Sequence, residues 1–75
     1  MVTMTNNEEL IKLATRVKFL RSELAISQEE LAHRCGFDRT YISLVERSKR
    51  NPSYLSLKKL CIGLEINLSK LLEGL

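Results

Sequence analysis

The chain has 75 residues, and its 12 basic and 9 acidic side chains give it a formal net charge of +3 at pH 7. This length allows one small domain and excludes the large enzyme architectures. Hydrophobic residues make up 44% of the sequence and charged residues 28%, a balance too apolar for intrinsic disorder and too charged for a membrane protein. A domain this small buries only about 60% of its unfolded surface, so we expect a partner or a dimer contact to stabilise it.

The positive charge is concentrated in one segment. Between Arg34 and Arg50 five basic residues stand against Asp38 and Glu46, while the rest of the chain carries seven charges of each sign. A basic patch on a neutral body is typical of a protein that binds a polyanion, although a solvated charged face would give the same count.

The cysteines and the histidine do not form a reactive site. Cys35 and Cys61 are far apart in the sequence, and His33 stands two positions before Cys35, so on a helix their side chains point to different sides. We therefore expect no metal, no cofactor and two reduced thiols in an apolar core. Met1 to Asn7 is polar and no apolar run reaches membrane-spanning length, which predicts a cytoplasmic protein without signal peptide or membrane contact.

The apolar periodicity is helical throughout, and no segment alternates as a strand would. A first helix is predicted from about Asn7 to Leu24, with one apolar stripe made of Leu10, Leu13, Ala14, Val17, Leu20 and Leu24. Ile11 and Phe19 fall outside this stripe, so they either pack under a neighbouring chain terminus or contact another molecule.

Capping residues delimit the next two helices. A capping box that begins at Ser27 predicts a second helix from Gln28 to Cys35, which Gly36 ends by adopting a left-handed conformation. Asp38 is predicted to cap a third helix over Arg39–Ser48.

The C-terminal third is predicted to contain two further helices. After a polar turn at residues 51–53, Ser56 is expected to cap a fourth helix, whose inward side chains are Leu57, Leu60, Cys61 and Leu64. Asn67 or Ser69 then opens a short last helix within residues 67–75.

Residues 28–47 meet the requirements of a helix-turn-helix. Two short helices joined by a few residues with a glycine at the bend must cross steeply to pack together. Ala32 is small where the two helices meet, and Gly36 permits the bend. The predicted fold is therefore all-α, with one five-helix domain over residues 1–75.

The segment QEELAHRCGFDRTYISLVERSKRNPS resembles the helix-turn-helix domain of the phage repressor and Cro family. Within that family the stretch from Asp38 to Ser53 is similar to the controller proteins of bacterial restriction-modification systems, and the resemblance covers about residues 10 to 75. It implies a homodimer without a small-molecule ligand that binds a pseudo-palindromic operator in double-stranded DNA. It also implies activation at one site and repression at another, by recruiting or blocking RNA polymerase.

The exposed start of the third helix is predicted to read bases. A helix fits the major groove, where a guanidinium donates two hydrogen bonds to guanine, so Arg39 is the first candidate, followed by Thr40 and Ser43. Leu44, exposed by periodicity, either touches a thymine methyl group or covers Thr40.

Phosphate contacts are expected at the edges of the motif, where donors are needed without base geometry. The candidates are the start of the second helix and the polar and basic residues around the end of the third, namely Gln28, Tyr41, Arg47, Lys49, Arg50 and Asn51.

The resemblance further implies a partly buried ion pair between Arg21 and Glu46, which links the first helix to the end of the third. The leucines of the last helix cover too much of it to be buried by one small body, so we predict a dimer interface at Leu68, Leu71, Leu72 and Leu75. The alternative is that they only close the core of the monomer.

An enzyme is not predicted, because the chain lacks a catalytic pair, a phosphate-binding loop and metal-ligand spacing. A phage-type repressor or an antitoxin-like regulator remains an alternative, as does a protein-interaction module that has lost DNA binding.

Overall fold

The computed structural model describes residues 6–75, and this part of the chain forms helices without any strand. The helices are α1 (Asn6–Glu23), α2 (Gln28–Cys35), α3 (Arg39–Glu46), α4 (Tyr54–Leu64) and α5 (Leu68–Leu71). The predicted all-α, five-helix fold is confirmed. The signal-peptide prediction depends partly on residues 1–5, which lie outside the described residues.

Local capping explains where α2, α3 and α5 begin. Ser27 Oγ accepts a hydrogen bond from the Glu30 N–H at 2.9 Å, and Asp38 Oδ1 accepts one from the Thr40 N–H at 2.8 Å. Asn67, rather than Ser69, caps α5 through the Lys70 N–H at 2.8 Å. Each side chain satisfies an amide that the first helical turn leaves without a backbone partner.

The fourth helix begins earlier than predicted. Its cap is Ser53, whose Oγ accepts from the Ser56 N–H at 3.1 Å, so Ser56 lies inside the first turn and the prediction that it caps the helix is wrong. The extended backbone of Ser53, directly after Pro52, is the conformation that a capping residue requires.

Two other helices end earlier than predicted. The third helix stops at Glu46 instead of Ser48, because Ser48 adopts a left-handed conformation with φ of 63° and the Lys49 N–H turns back to Leu44 O at 2.8 Å. The last helix is a single turn that ends at Leu71, and Gly74 has a positive φ of 83°. The loop after α3 is therefore a compact turn that starts right beside the end of the helix.

The core lies where α1, α2, α3 and α4 meet. Its largest fully buried side chains are Val17, Leu31, Ile42, Val45, Leu60 and Leu71. Among the described residues, no helix is both long enough and apolar enough to cross a membrane, and no cluster of metal-ligating side chains occurs.

The helices α2 and α4 pack very closely at Gly63. A Cβ atom at this position would overlap Cys35 Sγ and lie 3.1 Å from Leu31 Cδ1, so only glycine permits this approach. Both cysteines are buried and unbridged, and burial raises the pKa of the Cys35 thiol to about 11. Cys35 therefore acts as a small apolar side chain in this contact.

Replacing Gly63→Ala tests this contact. We expect the variant to lose about 1–3 kcal/mol of unfolding free energy from overpacking, although alanine favours helices over glycine by about 1 kcal/mol. Urea denaturation followed by circular dichroism measures the change. Cys35→Ala vacates the space that the new methyl group needs, so Gly63→Ala should cost much less in that background; an equal loss in both backgrounds would contradict the contact.

Candidate nucleic-acid interface

The start of α3 presents polar side chains to solvent. Asp38, Arg39 and Thr40 are all exposed, while Ile42 on the opposite side of the helix is fully buried. The hydrogen bond from the Thr40 N–H lowers the pKa of Asp38, so this carboxylate stays charged as a helix cap. Arg39 and Thr40 are therefore free to approach a base edge from a helix whose inner face is anchored.

The next two positions of α3 are less accessible than predicted. Ser43 is half-buried, and its Oγ accepts a hydrogen bond from Arg47 Nε at 3.2 Å, so it orients a basic side chain as well as facing outward. Leu44 is also half-buried, although the periodicity placed it on the exposed face.

Aromatic and cationic side chains form a stack beside α3. The rings of Phe37 and Tyr41 lie 4.4 Å apart between centroids, Arg50 covers Tyr41 at 5.5 Å, and Lys59 covers Phe37 at 5.5 Å. Cation–π contacts hold the two cations near fixed positions without neutralising them. Arg50 is thus oriented in advance, with its donors available to an anion.

The compact turn after α3 carries the remaining basic candidates. Arg47, Lys49, Arg50 and Asn51 are all exposed. Because α3 has eight residues, this turn lies roughly 12 Å from Arg39 along the helix axis. The structure therefore places the predicted base readers and most of the predicted phosphate-binding residues at opposite ends of one short helix.

Gln28 has a different environment from the one predicted. Its Nε2 donates a hydrogen bond to Glu46 Oε1 at 3.0 Å, so one amide hydrogen is engaged inside the protein. Gln28 is half-buried at the start of α2, where the second amide hydrogen and the free N–H groups of the helix end remain as donors.

The structure brings Arg21 and Glu46 together as a two-bond ion pair. Arg21 Nε and Nη2 donate to the two carboxylate oxygens of Glu46 at 2.7 and 2.9 Å, and Arg21 Nη1 donates to Ile26 O at 2.8 Å. The Glu46 side chain is 2% exposed, against 21% for Arg21. Its bond to Glu46 raises the pKa of Arg21 against the opposing effect of burial. The pair ties α1, the loop that follows it and the end of α3 into one unit.

The C-terminal leucines do not form one exposed surface. Leu71 is fully buried in the single chain, so its assignment to a dimer interface is wrong: it closes the monomer core, and Leu68 packs partly against that core. Leu72 and Leu75 are 37% and 44% exposed, and Leu75 lines a groove with Ile11 and Phe19.

Sequence reasoning missed two features of this region. The stack of Phe37 with Tyr41 has a signal, since aromatic residues four positions apart meet at the start of a helix, but its cation from α4 has none. The strong exposure of Leu55 and Ile62 on α4 was likewise not predicted.

Fold and surface together define a helix-turn-helix protein whose exposed recognition helix is flanked by basic residues. The sequence matches the helix-turn-helix family over residues 17–71, and the chain belongs to this family. It is 40% identical over 70 residues to the control protein C.MunI of a Mycoplasma species, covering 92% of this chain and 95% of that protein.

Other relatives agree. Control protein C.BamHI of Bacillus amyloliquefaciens is 39% identical over 71 residues, covering 93% of this chain and 86% of that protein. The crystal structure of the restriction-modification controller protein C.AhdI from Aeromonas hydrophila superimposes with a TM-score of 0.83 at 39% identity, covering 85% of this chain and 97% of that one. The chain is therefore homologous to the restriction-modification controller proteins, as the resemblance predicted.

A double-mutant cycle on Arg21 and Glu46 tests the ion pair. Glu46→Ala is expected to cost about 2–3 kcal/mol, near the lower end for a buried pair because Arg21 keeps some contact with water. The two substitutions should couple by more than roughly 0.5 kcal/mol in urea denaturation. Arg34→Ala is the matched control, because its exposed pairs with Glu30 and Glu65 should contribute less than about 1 kcal/mol. Additive losses at Arg21 and Glu46 would contradict the pair.

Proposed function

We propose that this chain is a sequence-specific regulator that binds double-stranded operator DNA through α3. One observation carries the proposal: Arg39 and Thr40 stand exposed at the start of a helix whose opposite face is buried and whose far end is held by the Arg21–Glu46 pair. A helix fixed in this way can enter the major groove, where Arg39 pairs with guanine and Thr40 contacts a neighbouring base. Ser43 is the third candidate on this side.

Phosphate groups on both sides of the groove would hold the domain in register. Arg47, Lys49, Arg50 and Asn51 supply exposed donors beyond the end of α3, and Tyr41 supports Arg50 by stacking. Gln28 and the start of α2 supply donors for the other strand. Such contacts favour any DNA, while selectivity depends on Arg39 and its neighbours.

We further propose that the chain acts in the cytoplasm as a single-domain homodimer on a pseudo-palindromic operator, without a small-molecule ligand or an enzymatic activity. The names of its relatives support control of restriction-modification genes as its role. Activation and repression by recruiting or blocking RNA polymerase would follow from where the operator lies relative to the promoter. A twofold dimer places its two recognition helices about 34 Å apart, in successive major grooves.

Selection from a random pool of duplexes tests this function. The purified protein should enrich one twofold-symmetric sequence. Its affinity for that sequence should fall steeply as salt rises, because each phosphate contact releases a counterion. A protein-interaction module would enrich no sequence and show little binding even at low salt. A phage-type repressor or antitoxin-like regulator would enrich an operator that lies outside restriction-modification genes.

Substitution of Arg39→Ala distinguishes base reading from charge. On the selected duplex the variant should lose about 1–3 kcal/mol of binding free energy, and it should lose selectivity at one base pair of each half-site. Lys49→Ala is the matched control, because it also removes one exposed positive charge but should weaken binding equally on all sequences. Fluorescence anisotropy with the selected duplex and single-base variants measures both. The same uniform loss for Arg39→Ala would remove it as a base reader.

A further inference from the structure

The outer face of α4 carries the most exposed large apolar side chains among residues 6–75. Tyr54, Leu55 and Ile62 are 60%, 70% and 71% exposed, more than Ile11 and Phe19 on α1 at 53% and 50%. The inner face of α4 packs in the core through Leu60, Cys61 and Leu64. The helix is thus apolar on two sides, and only one of them is covered by its own chain.

We propose that this outer face, formed by Tyr54, Leu55 and Ile62, binds the same face of a second copy of the chain. The inference rests on the proposed function, because it names the contact through which a dimer would span two half-sites. It also moves the main contact away from the C-terminal leucines.

The area of the face fits a dimer. Its three apolar side chains leave on the order of 400 Å² in water, within the range of surface patches that mark interaction sites. A standard interface buries roughly 800 Å² on each partner. The rest is available beside Ile62, where a shallow groove continues the face along Ile66, Asn67 and Lys70.

The spacing along α4 gives the pairing. Leu55 and Ile62 are seven residues apart, which places them two turns apart on one side of the helix, with about 10 Å between them. Two such helices that cross antiparallel about a twofold axis near Lys58 and Lys59 bring each Leu55 against Ile62 of the other copy. The contact is then reciprocal, as a twofold interface requires.

The lysines on α4 flank the apolar line without blocking it. Lys59 is drawn toward Phe37, with 5.5 Å between its ammonium and the ring centroid, and Lys58 is exposed on the other side. In the dimer the two copies of Lys58 repel each other across the axis, and dissolved salt screens this repulsion. Self-association should therefore strengthen as salt rises, in the opposite direction to DNA binding.

The position of α4 also suits the proposed function. The helix starts at Tyr54, directly after the turn that carries the basic residues 47–51. A second copy that docks on α4 therefore brings the two basic turns to the same region of the dimer. This arrangement gives one continuous basic side for a single duplex, rather than two separate sides.

Sedimentation velocity of the full chain tests the proposal through a charge exchange. The wild-type chain should be a dimer that tightens with salt. Leu55→Glu or Ile62→Lys alone should weaken the dimer at least about 100-fold, since each dimer contains the substituted contact twice. An equimolar mixture of the two variants should dimerise again, because the new carboxylate then meets the new ammonium across the interface.

Matched controls lie on α1. Phe19→Glu and Ile11→Lys change residues of similar exposure and should leave the dimer intact, and circular dichroism should show that all four variants keep the helical fold. The proposal is overturned if the wild-type chain stays monomeric at hundreds of micromolar, or if the α1 variants dissociate the dimer and the α4 variants do not. Failure of the mixture to recover would overturn the antiparallel pairing.

Anisotropy with a duplex that holds one half-site separates this inference from the proposed function. Leu55→Glu should bind that duplex as the wild-type chain does, and it should lose only the gain that a second half-site gives. If the wild-type chain dimerises through α4 but binds no DNA, the proposed function fails and this interface stands. If DNA binding holds while Leu55→Glu remains fully dimeric, the interface fails and the proposed function stands.

Discussion

The buried carboxylate of Glu46 is the constraint on which the DNA-facing geometry depends. It is the one charged side chain that is fully buried among residues 6–75, and it accepts two hydrogen bonds from Arg21 and one from Gln28. A buried carboxylate is costly unless such donors surround it, so the geometry that satisfies it is narrowly defined. Because the three residues come from α1, α2 and α3, satisfying one charge fixes how these helices cross.

A recognition helix needs this kind of anchoring. The buried side of α3 is held by Ile42 and Val45 and its last residue by the ion pair, while its first turn is free in solvent. Side chains that already have their orientation lose less entropy on binding. The stack of Tyr41 with Arg50 and the bond from Arg47 to Ser43 extend this order to the basic turn.

Local chemistry is what made the fold predictable from the sequence. Ser27, Gly36 and Asp38 act through neighbours within a few residues, so their capping roles could be recognised without a structure. The start of α4 was misplaced because Ser53 and Ser56 are both good caps, and the choice depends on the backbone after Pro52. The base-reading side chains on α3 followed from periodicity alone. Contacts between distant segments could not be predicted in this way: Gln28 turns toward Glu46, Leu71 fills the core, and Lys59 reaches Phe37.

Amide chemical-shift mapping of the labelled protein during titration with its selected duplex is the most direct test of the central claim, that an anchored α3 is the surface presented to DNA. The account predicts large shifts at the start of α2, at residues 38–43 and in the turn at residues 47–51, with the outer face of α1 unchanged. The indole-free core around Val17 and Leu60 should move little, since the helices are already locked together. Shifts concentrated on α1, or spread through the core without a maximum on α3, would contradict the account.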